Sequence, residues 1–121
     1  MNNKILVVDD SATVRQSVSM ALDRAGYPNQ QAVDGQDALE KLSTESFGMI
    51  ITDINMPNLD GFGLIQRARK MDKTQYIPIL VLTTESSDEV KSRGKAAGAT
   101  GWIVKPFKAN QLLKVVKMVL G

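Results

Sequence analysis

Residues 5–10 are Ile5-Leu6-Val7-Val8-Asp9-Asp10, a short apolar run that ends in two carboxylates. Short β-rich runs bounded by turn residues are typical of buried parallel strands. The pattern recurs where residues 49–52, 79–82 and 102–104 are followed by Asp53, Thr83 and Lys105. Ligands of open α/β sheets bind at the carboxyl ends of the strands. We therefore expect these polar side chains to converge on one site.

Helical patterns separate the apolar runs. Ser11 is a good N-cap for the first helix, which presents apolar residues from Val14 to Ala25 at helical spacing and ends at Gly26. The alternation predicts a parallel sheet covered by helices on both faces, in a doubly wound α/β fold. We expect the fourth helix, which is polar and contains Gly94, to be the loosest element. Strands are predicted at about 4–8, 30–33, 48–52, 78–82 and 101–104, and helices at about 12–25, 36–44, 62–71, 87–97 and 109–120.

Composition limits the class of protein and the chemistry. The 121 residues are 43% hydrophobic and 23% charged, which fits one globular domain. No apolar run suggests a membrane span or a secretory signal, so we expect a cytoplasmic location. The absence of cysteine and histidine excludes disulfides, thiolate nucleophiles, Ser-His triads and HExxH zinc sites. Carboxylates, hydroxyls, lysine or a hard cation must supply any chemistry.

The clustered acids predict a cation and a phosphoryl acceptor. Carboxylates in one crevice repel one another, and Mg²⁺ relieves that repulsion by binding hard oxygen ligands. Asp10 and Asp53 would supply carboxylate oxygens, and Asn55 a backbone carbonyl. A carboxylate can act as the nucleophile that forms an aspartyl phosphate, and Asp53 is the better candidate because its strand is central. Thr83 and Lys105 would then contact the phosphoryl oxygens.

Each of these residues also has a structural interpretation when taken alone. An Asp-Asp pair after a strand is usually a helix cap or a turn signal, and a Lys-Pro pair is usually part of a loop. The functional interpretation depends on all of them standing at the carboxyl ends of strands.

At these residues the chain strongly resembles the receiver domains of two-component response regulators, especially those of the single-domain chemotaxis type. The resemblance implies a flavodoxin-like, five-stranded (βα)₅ fold with strand order 2-1-3-4-5. It also implies that residues 1–121 form a single receiver domain with no output domain. The matching segments are Asp9-Asp10-Ser11 with Arg15, Asp53 with Met56-Pro57-Asn58-Leu59-Asp60-Gly61, Thr83, and Lys105-Pro106-Phe107.

The resemblance also implies roles for single residues. Asp53 would accept a phosphoryl group from a phosphohistidine on a CheA-like histidine kinase, so the chain would be a signalling protein rather than an enzyme. Asp9 and Asp10 would surround Mg²⁺ with Asp53, and Asn55 would add a carbonyl ligand. Thr83 and Lys105 would contact the phosphoryl group, and the bond before Pro106 would be cis.

Further residues bear on the switch and on its lifetime. In the family the threonine at Thr83 moves toward the phosphoryl group, and an aromatic residue on the fifth strand fills the space. Trp102 stands at that position, where tyrosine or phenylalanine is more familiar. Thr84 stands where such domains often carry alanine or glycine, and its extra bulk is expected to restrict access to the phosphoryl group. Asn55 and Glu85 match the chemotaxis regulators at positions that tune dephosphorylation, which predicts a short-lived phosphoryl state.

The output is expected to be non-covalent. Residues 90–121 contain seven basic residues and no acidic residue. These basic side chains are either simply solvated on the helices or form a face that binds an acidic partner. The resemblance favours a downstream protein bound by the fourth helix, fifth strand and last helix of a monomer. We expect no nucleic-acid partner and no membrane insertion.

Three alternatives remain open. A phosphohydrolase of the haloacid dehalogenase type needs a second aspartate where Asn55 stands. A flavin-binding module on this fold would place its phosphate against Asp9 and Asp10, which would repel it. A receiver domain that serves a phosphorelay or another non-motility pathway, alone or as part of a longer regulator, would share every feature above.

Overall fold

The computed structural model of the protein describes residues 2–121 and alternates five strands with five helices. The strands are β1 (Ile5–Val8), β2 (Asn29–Ala32), β3 (Met49–Thr52), β4 (Ile79–Thr83) and β5 (Gly101–Val104). The helices are α1 (Ala12–Arg24), α2 (Gly35–Thr44), α3 (Gly61–Ala68), α4 (Asp88–Ala97) and α5 (Ala109–Leu120).

The strands form one parallel sheet in the order β2-β1-β3-β4-β5, which confirms the flavodoxin-like fold. The register of the sheet determines which residues lie side by side at the carboxyl ends of the strands. Val8 is paired with Thr52, so that Asp9 and Asp53 follow at neighbouring strand ends. Thr83 is paired with Val104, and its carbonyl accepts a hydrogen bond from the Lys105 N–H at 2.8 Å.

The three central strands are buried along their whole length, because helices cover both faces of the sheet. One core lies under α2 and α3, and the other lies under α1 and α5. Helix α4 is fully buried only at Gly94, so it packs more lightly than the other helices. None of the helices within residues 2–121 combines the length and the apolar character that crossing a bilayer requires.

Local hydrogen bonds fix where the helices begin. Ser11, Asp34, Asp60 and Ser87 are N-caps whose side chains each accept a hydrogen bond from a backbone N–H three residues on. The capping role predicted for Ser11 is therefore confirmed. Asp60 begins α3 one residue earlier than the sequence pattern suggested.

Some predicted boundaries and burial were wrong. Helix α3 ends at Ala68 rather than at residue 71, because the N–H groups of Lys70 and Met71 bond to carbonyls only three residues back. Ala25 is exposed rather than inward, since α1 ends at Arg24 and Gly26 turns the chain with a φ of 85°.

Two strands end at a different residue from the one predicted. β2 ends at Ala32, and Val33 is exposed beyond it. The backbone N–H of Val33 donates to Asp37 at the start of α2 instead of continuing the sheet. β4 extends by one residue to Thr83, whose carbonyl is still bonded to the neighbouring strand.

Arg69 connects the loop before β4 to the residue that follows α4. Its guanidinium donates to the carbonyls of Thr74, Gln75 and Ile77 before β4 and twice to the carbonyl of Gly98 after α4. A further contact reaches Thr100 Oγ1 at 3.4 Å. Among residues 2–121 no carboxylate forms an ion pair with Arg69, and most of the hydrogen bonds of its guanidinium go to backbone carbonyls. Burial lowers the pKa of Arg69.

Candidate functional site

Three carboxylates meet above the carboxyl ends of β1 and β3. One oxygen each from Asp9, Asp10 and Asp53 lies within 4.8 Å of the others. Asp9 and Asp53 are buried, whereas Asp10 is exposed at the rim. The structure therefore brings together the acids that the strand-end pattern predicted, with one of them open to solvent.

Lys105 lies between the two buried acids. Its Nζ is 2.8 Å from Asp9 Oδ2 and 2.7 Å from Asp53 Oδ2, and its side chain is only 14% exposed. Burial lowers the pKa of Lys105, but the hydrogen bonds to Asp53 and Asp9 and the charges of these two acids together outweigh burial and raise the pKa above the ordinary lysine value. The ammonium is therefore charged at neutral pH and compensates the buried carboxylates.

Asp9 behaves differently from an ordinary ion-pair partner. Burial raises its pKa, and the hydrogen bonds from Lys105 and Ser11 offset that effect only in part. The neighbouring charge of Asp53 raises the pKa further. The single positive charge of Lys105 is thus shared by two carboxylates, so the site carries less positive than negative charge.

Backbone N–H groups hold the carboxylates in place. Asp53 Oδ1 accepts hydrogen bonds from the N–H of Ile54 at 2.6 Å and of Asn55 at 3.4 Å. Asp9 Oδ1 accepts one from the Ser11 N–H at 2.9 Å. The Arg15 side chain donates to the backbone carbonyl of Asp9 at 2.7 Å. Nearby backbone groups therefore orient the carboxylates of Asp9 and Asp53.

Glu85 connects the second half of the site. Its Oε1 accepts from the Asn55 side-chain amide at 3.3 Å, and its backbone N–H donates to Thr83 Oγ1 at 3.4 Å. Its carbonyl accepts the indole N–H of Trp102 at 3.0 Å. Sequence reasoning had placed Glu85 and Asn55 near the site but missed their contact and the bond to Trp102. No periodic signal identifies contacts between loops 30 residues apart.

Trp102 lies on the edge strand β5, where its half-buried side chain packs against α4. A Cβ added at Gly94 would lie 2.5 Å from the Trp102 ring. Gly94 therefore has a packing reason that the sequence did not reveal: it makes room for an indole on the fifth strand. An inward movement of Trp102 remains a prediction.

A groove of about 310 Å³ opens beside the site, lined by Thr13, Val14, Ser17, Thr84, Lys105, Pro106 and Phe107. The Lys105–Pro106 bond is cis, as the resemblance implied. Thr84 is exposed and lines this groove, so the atoms that it has beyond an alanine side chain add bulk to the groove rather than to the core.

The donor set fits a hard divalent cation. Three carboxylate oxygens share a small volume, and oxygen ligands of this kind suit Mg²⁺. Asp10 at the rim leaves room for coordinated water, which Mg²⁺ usually retains. Asn55 stands two residues after Asp53 in the same loop, and the role of its backbone carbonyl as a ligand stays a prediction.

Comparisons with known proteins agree with this geometry. The response regulator receiver domain family matches residues 5–117. The chemotaxis protein CheY-3 of Vibrio cholerae is 39% identical over 112 residues, which are 92% of this chain and 86% of that protein. The chemotaxis protein CheY1 of Helicobacter pylori is 38% identical over 120 residues, which are 98% of this chain and 97% of that protein.

Solved structures give the same result. The chemotaxis protein CheY4 of Vibrio cholerae is 48% identical, superposes with a TM-score of 0.94, and aligns over 99% of this chain and 100% of its own. The fold, the matched residues and the identity to these relatives together show that the chain belongs to the response regulator receiver domain family.

Proposed function

We propose that this receiver domain is a phosphorylation-dependent signalling switch that accepts a phosphoryl group on Asp53 from a histidine kinase. The observation that carries the proposal is the position of Lys105 between Asp9 and Asp53 inside an acidic cluster. The relatives named above are chemotaxis proteins, which favours a chemotaxis pathway and a CheA-like kinase over another phosphorelay.

Phosphoryl transfer needs positioning and charge neutralisation more than covalent chemistry from the protein. An Asp53 oxygen attacks the phosphorus of the phosphohistidine; the P–O bond forms as the P–N bond breaks, and the electron pair returns to the kinase imidazole. The N–H groups of Ile54 and Asn55 hold the attacking carboxylate in place. Lys105 and the Thr83 hydroxyl would contact the phosphoryl oxygens.

Asp9, Asp10, Asp53 and the Asn55 carbonyl would hold Mg²⁺. When bound, the ion neutralises charge on the acids and on the transferred group. The single ammonium of Lys105 cannot do this alone, because it already serves two carboxylates.

Intact-mass analysis after incubation with acetyl phosphate and Mg²⁺ tests this proposal. We expect the mass of one phosphoryl group to be added, and we expect chelation of Mg²⁺ to prevent the addition. An unchanged mass under conditions that phosphorylate a known receiver domain would exclude the proposed function.

The output surface would consist of α4, β5 and α5. Phosphorylation would shift an existing equilibrium toward the form that this surface needs to bind its target. A groove of about 290 Å³ on it is lined by the aliphatic and cationic side chains of Lys91 and Lys95 and by Trp102. The Trp102–Glu85 hydrogen bond joins this groove to Asn55 at the site.

Charge reversal tests the partner surface. The Lys91→Glu, Lys95→Glu, Lys117→Glu variant should lose at least about tenfold in affinity for target proteins retained by the Mg²⁺–beryllofluoride-loaded protein, because an acidic partner would now be repelled. Quantitative pull-down at several salt concentrations measures the loss. The Arg67→Glu, Lys70→Glu, Lys73→Glu variant changes net charge equally outside this surface and should bind normally. Equal losses in both variants would contradict a specific basic surface.

The phosphoryl lifetime provides a separate prediction. Asn55 and Glu85 contact each other beside Asp53, where they would orient the water that hydrolyses the acyl phosphate. Asn55→Ala and Glu85→Ala should each slow dephosphorylation by roughly threefold to tenfold, since a positioned polar group is removed. The decay of Trp102 fluorescence after removal of the phosphodonor gives the rate. Asn110→Ala, which removes an exposed amide at the start of α5, is the control, and unchanged decay in both test variants would refute the role.

A further inference from the structure

The loop between β3 and α3 is attached to α2 by one buried carboxylate. Asp34 is 6% exposed, and its Oδ2 accepts a hydrogen bond from the Asn58 side-chain amide at 2.7 Å. Its Oδ1 accepts from the Asp37 N–H at 2.8 Å and so caps α2. A single side chain therefore joins the start of a helix to a loop 24 residues away.

The backbone of the loop is matched to this attachment. Asn58 has a φ of 67°, in the left-handed region that asparagine tolerates better than most residues. The Gly35 N–H donates to the Leu59 carbonyl at 3.0 Å, and a Cβ at Gly35 would lie only 2.6 Å from that oxygen. Asp34 and Gly35 thus form two adjacent contacts to the same end of the loop.

The other end of the loop is held separately. The Gly61 N–H donates to the Ile54 carbonyl at 2.8 Å, and a Cβ at Gly61 would lie 2.2 Å from the Asp53 carbonyl oxygen. Asn55 lies between these two attachments, three residues before Asn58, with Pro57 restricting φ in the intervening segment. The direction of the Asn55 peptide therefore depends on both attachments.

We propose that Asp34 is a positioning residue, which orients the backbone carbonyl of Asn55 toward Mg²⁺ through its hydrogen bond to Asn58. This role rests on the proposed function, because it assumes that the Asn55 carbonyl is a metal ligand. Asp34 does not touch the metal site itself. Its effect is to keep the loop in the conformation that binds the ion.

Mg²⁺ titration of two variants tests the role. Asp34→Ser keeps an N-cap oxygen on α2 but is too short to reach Asn58, and Asn58→Gly keeps the left-handed backbone but lacks the amide. Each should raise the Mg²⁺ dissociation constant about tenfold, because apparent affinity falls with the fraction of molecules in the binding-competent conformation. Isothermal titration calorimetry measures the binding of Mg²⁺. The double variant should lose no more than either single variant, since both remove the same bond.

Matched variants separate positioning from charge and from stability. Asp34→Asn removes the charge but can still cap α2 and pair with a rotated Asn58 amide, so it should bind Mg²⁺ nearly as wild type. Asp37→Asn weakens the first turn of α2, where Asp37 contacts Lys41 and Val33, without touching the loop. It should lower the melting temperature and leave Mg²⁺ affinity unchanged.

Amide hydrogen exchange in metal-free protein gives an independent readout. The N–H groups of Asn55 and Gly35, which donate to Asp53 Oδ1 and to the Leu59 carbonyl, should exchange about tenfold faster in Asp34→Ser and Asn58→Gly than in wild type, whereas Asp37→Asn should leave them unchanged. Wild-type Mg²⁺ affinity in both loop variants would overturn the role of Asp34 while leaving the proposed function intact. A wild-type protein that binds no Mg²⁺ would overturn both.

Discussion

We expect Asp53→Asn to reduce phosphoryl incorporation from acetyl phosphate by roughly a thousandfold or more, which is the scale on which removal of a nucleophile acts. The replacement preserves size, and its amide oxygen can still accept the Ile54 N–H that holds Asp53 Oδ1 at 2.6 Å. It removes one negative charge and the anionic oxygen that faces Lys105 at 2.7 Å. The variant therefore removes the proposed nucleophile and should keep the surrounding structure.

Intact-mass analysis over time measures this effect, and circular dichroism verifies the fold. Asp72→Asn is the matched control, because Asp72 is an exposed aspartate between α3 and β4, away from the acidic cluster. The control should be phosphorylated at the wild-type rate. Incorporation into Asp53→Asn at the control rate would show that another residue accepts the phosphoryl group.

The second large effect concerns stability rather than chemistry. We expect Arg69→Met to destabilise the fold by about 3 kcal/mol, because a charged donor group is removed and several carbonyls lose their partner. For a domain of this size that loss should lower the melting temperature by roughly 10 °C. Methionine retains much of the aliphatic volume, so the loss reports the guanidinium hydrogen bonds rather than a cavity.

Urea unfolding followed by Trp102 fluorescence measures the loss. Arg67→Met is the control: Arg67 is exposed on the same helix, and its replacement should change stability by less than about 0.5 kcal/mol. Arg69→Lys should fall between the two, since one ammonium cannot reach the carbonyls both in the loop before β4 and after α4. Equal midpoints for Arg67→Met and Arg69→Met would show that solvent replaces the guanidinium without cost.

The contrast between Arg15 and Arg69 shows why some residues were predicted and others were not. Arg15 was part of the family motif, and it does contact the Asp9 carbonyl. Arg69 belongs to no motif, and its sequence position suggests only a helix end. Its importance depends on the loops before β4 and after α4 coming together beneath it, which no local pattern indicates.

Local sequence patterns also failed to predict one helix end and the packing role of one glycine. The end of α3 was misplaced because a change from four-residue to three-residue hydrogen-bond spacing leaves no mark on apolar periodicity. Gly94 was interpreted as a weakness of α4, although it accommodates Trp102 from another strand. Strand order came from resemblance to a family, and the structure confirmed it.

The sequence alone determined that strands and helices alternate and that Asp9, Asp10, Asp53, Thr83 and Lys105 stand at strand ends. These features are local, because periodicity of apolar residues fixes each element and its polar successor. Only the tertiary structure decided that Lys105 joins Asp9 to Asp53, that Glu85 links Asn55 to Trp102, and that Asp34 holds Asn58. Such contacts join distant segments whose separation is set by sheet register and loop conformation, and hydrogen bonds depend on those distances to within a few tenths of an ångström.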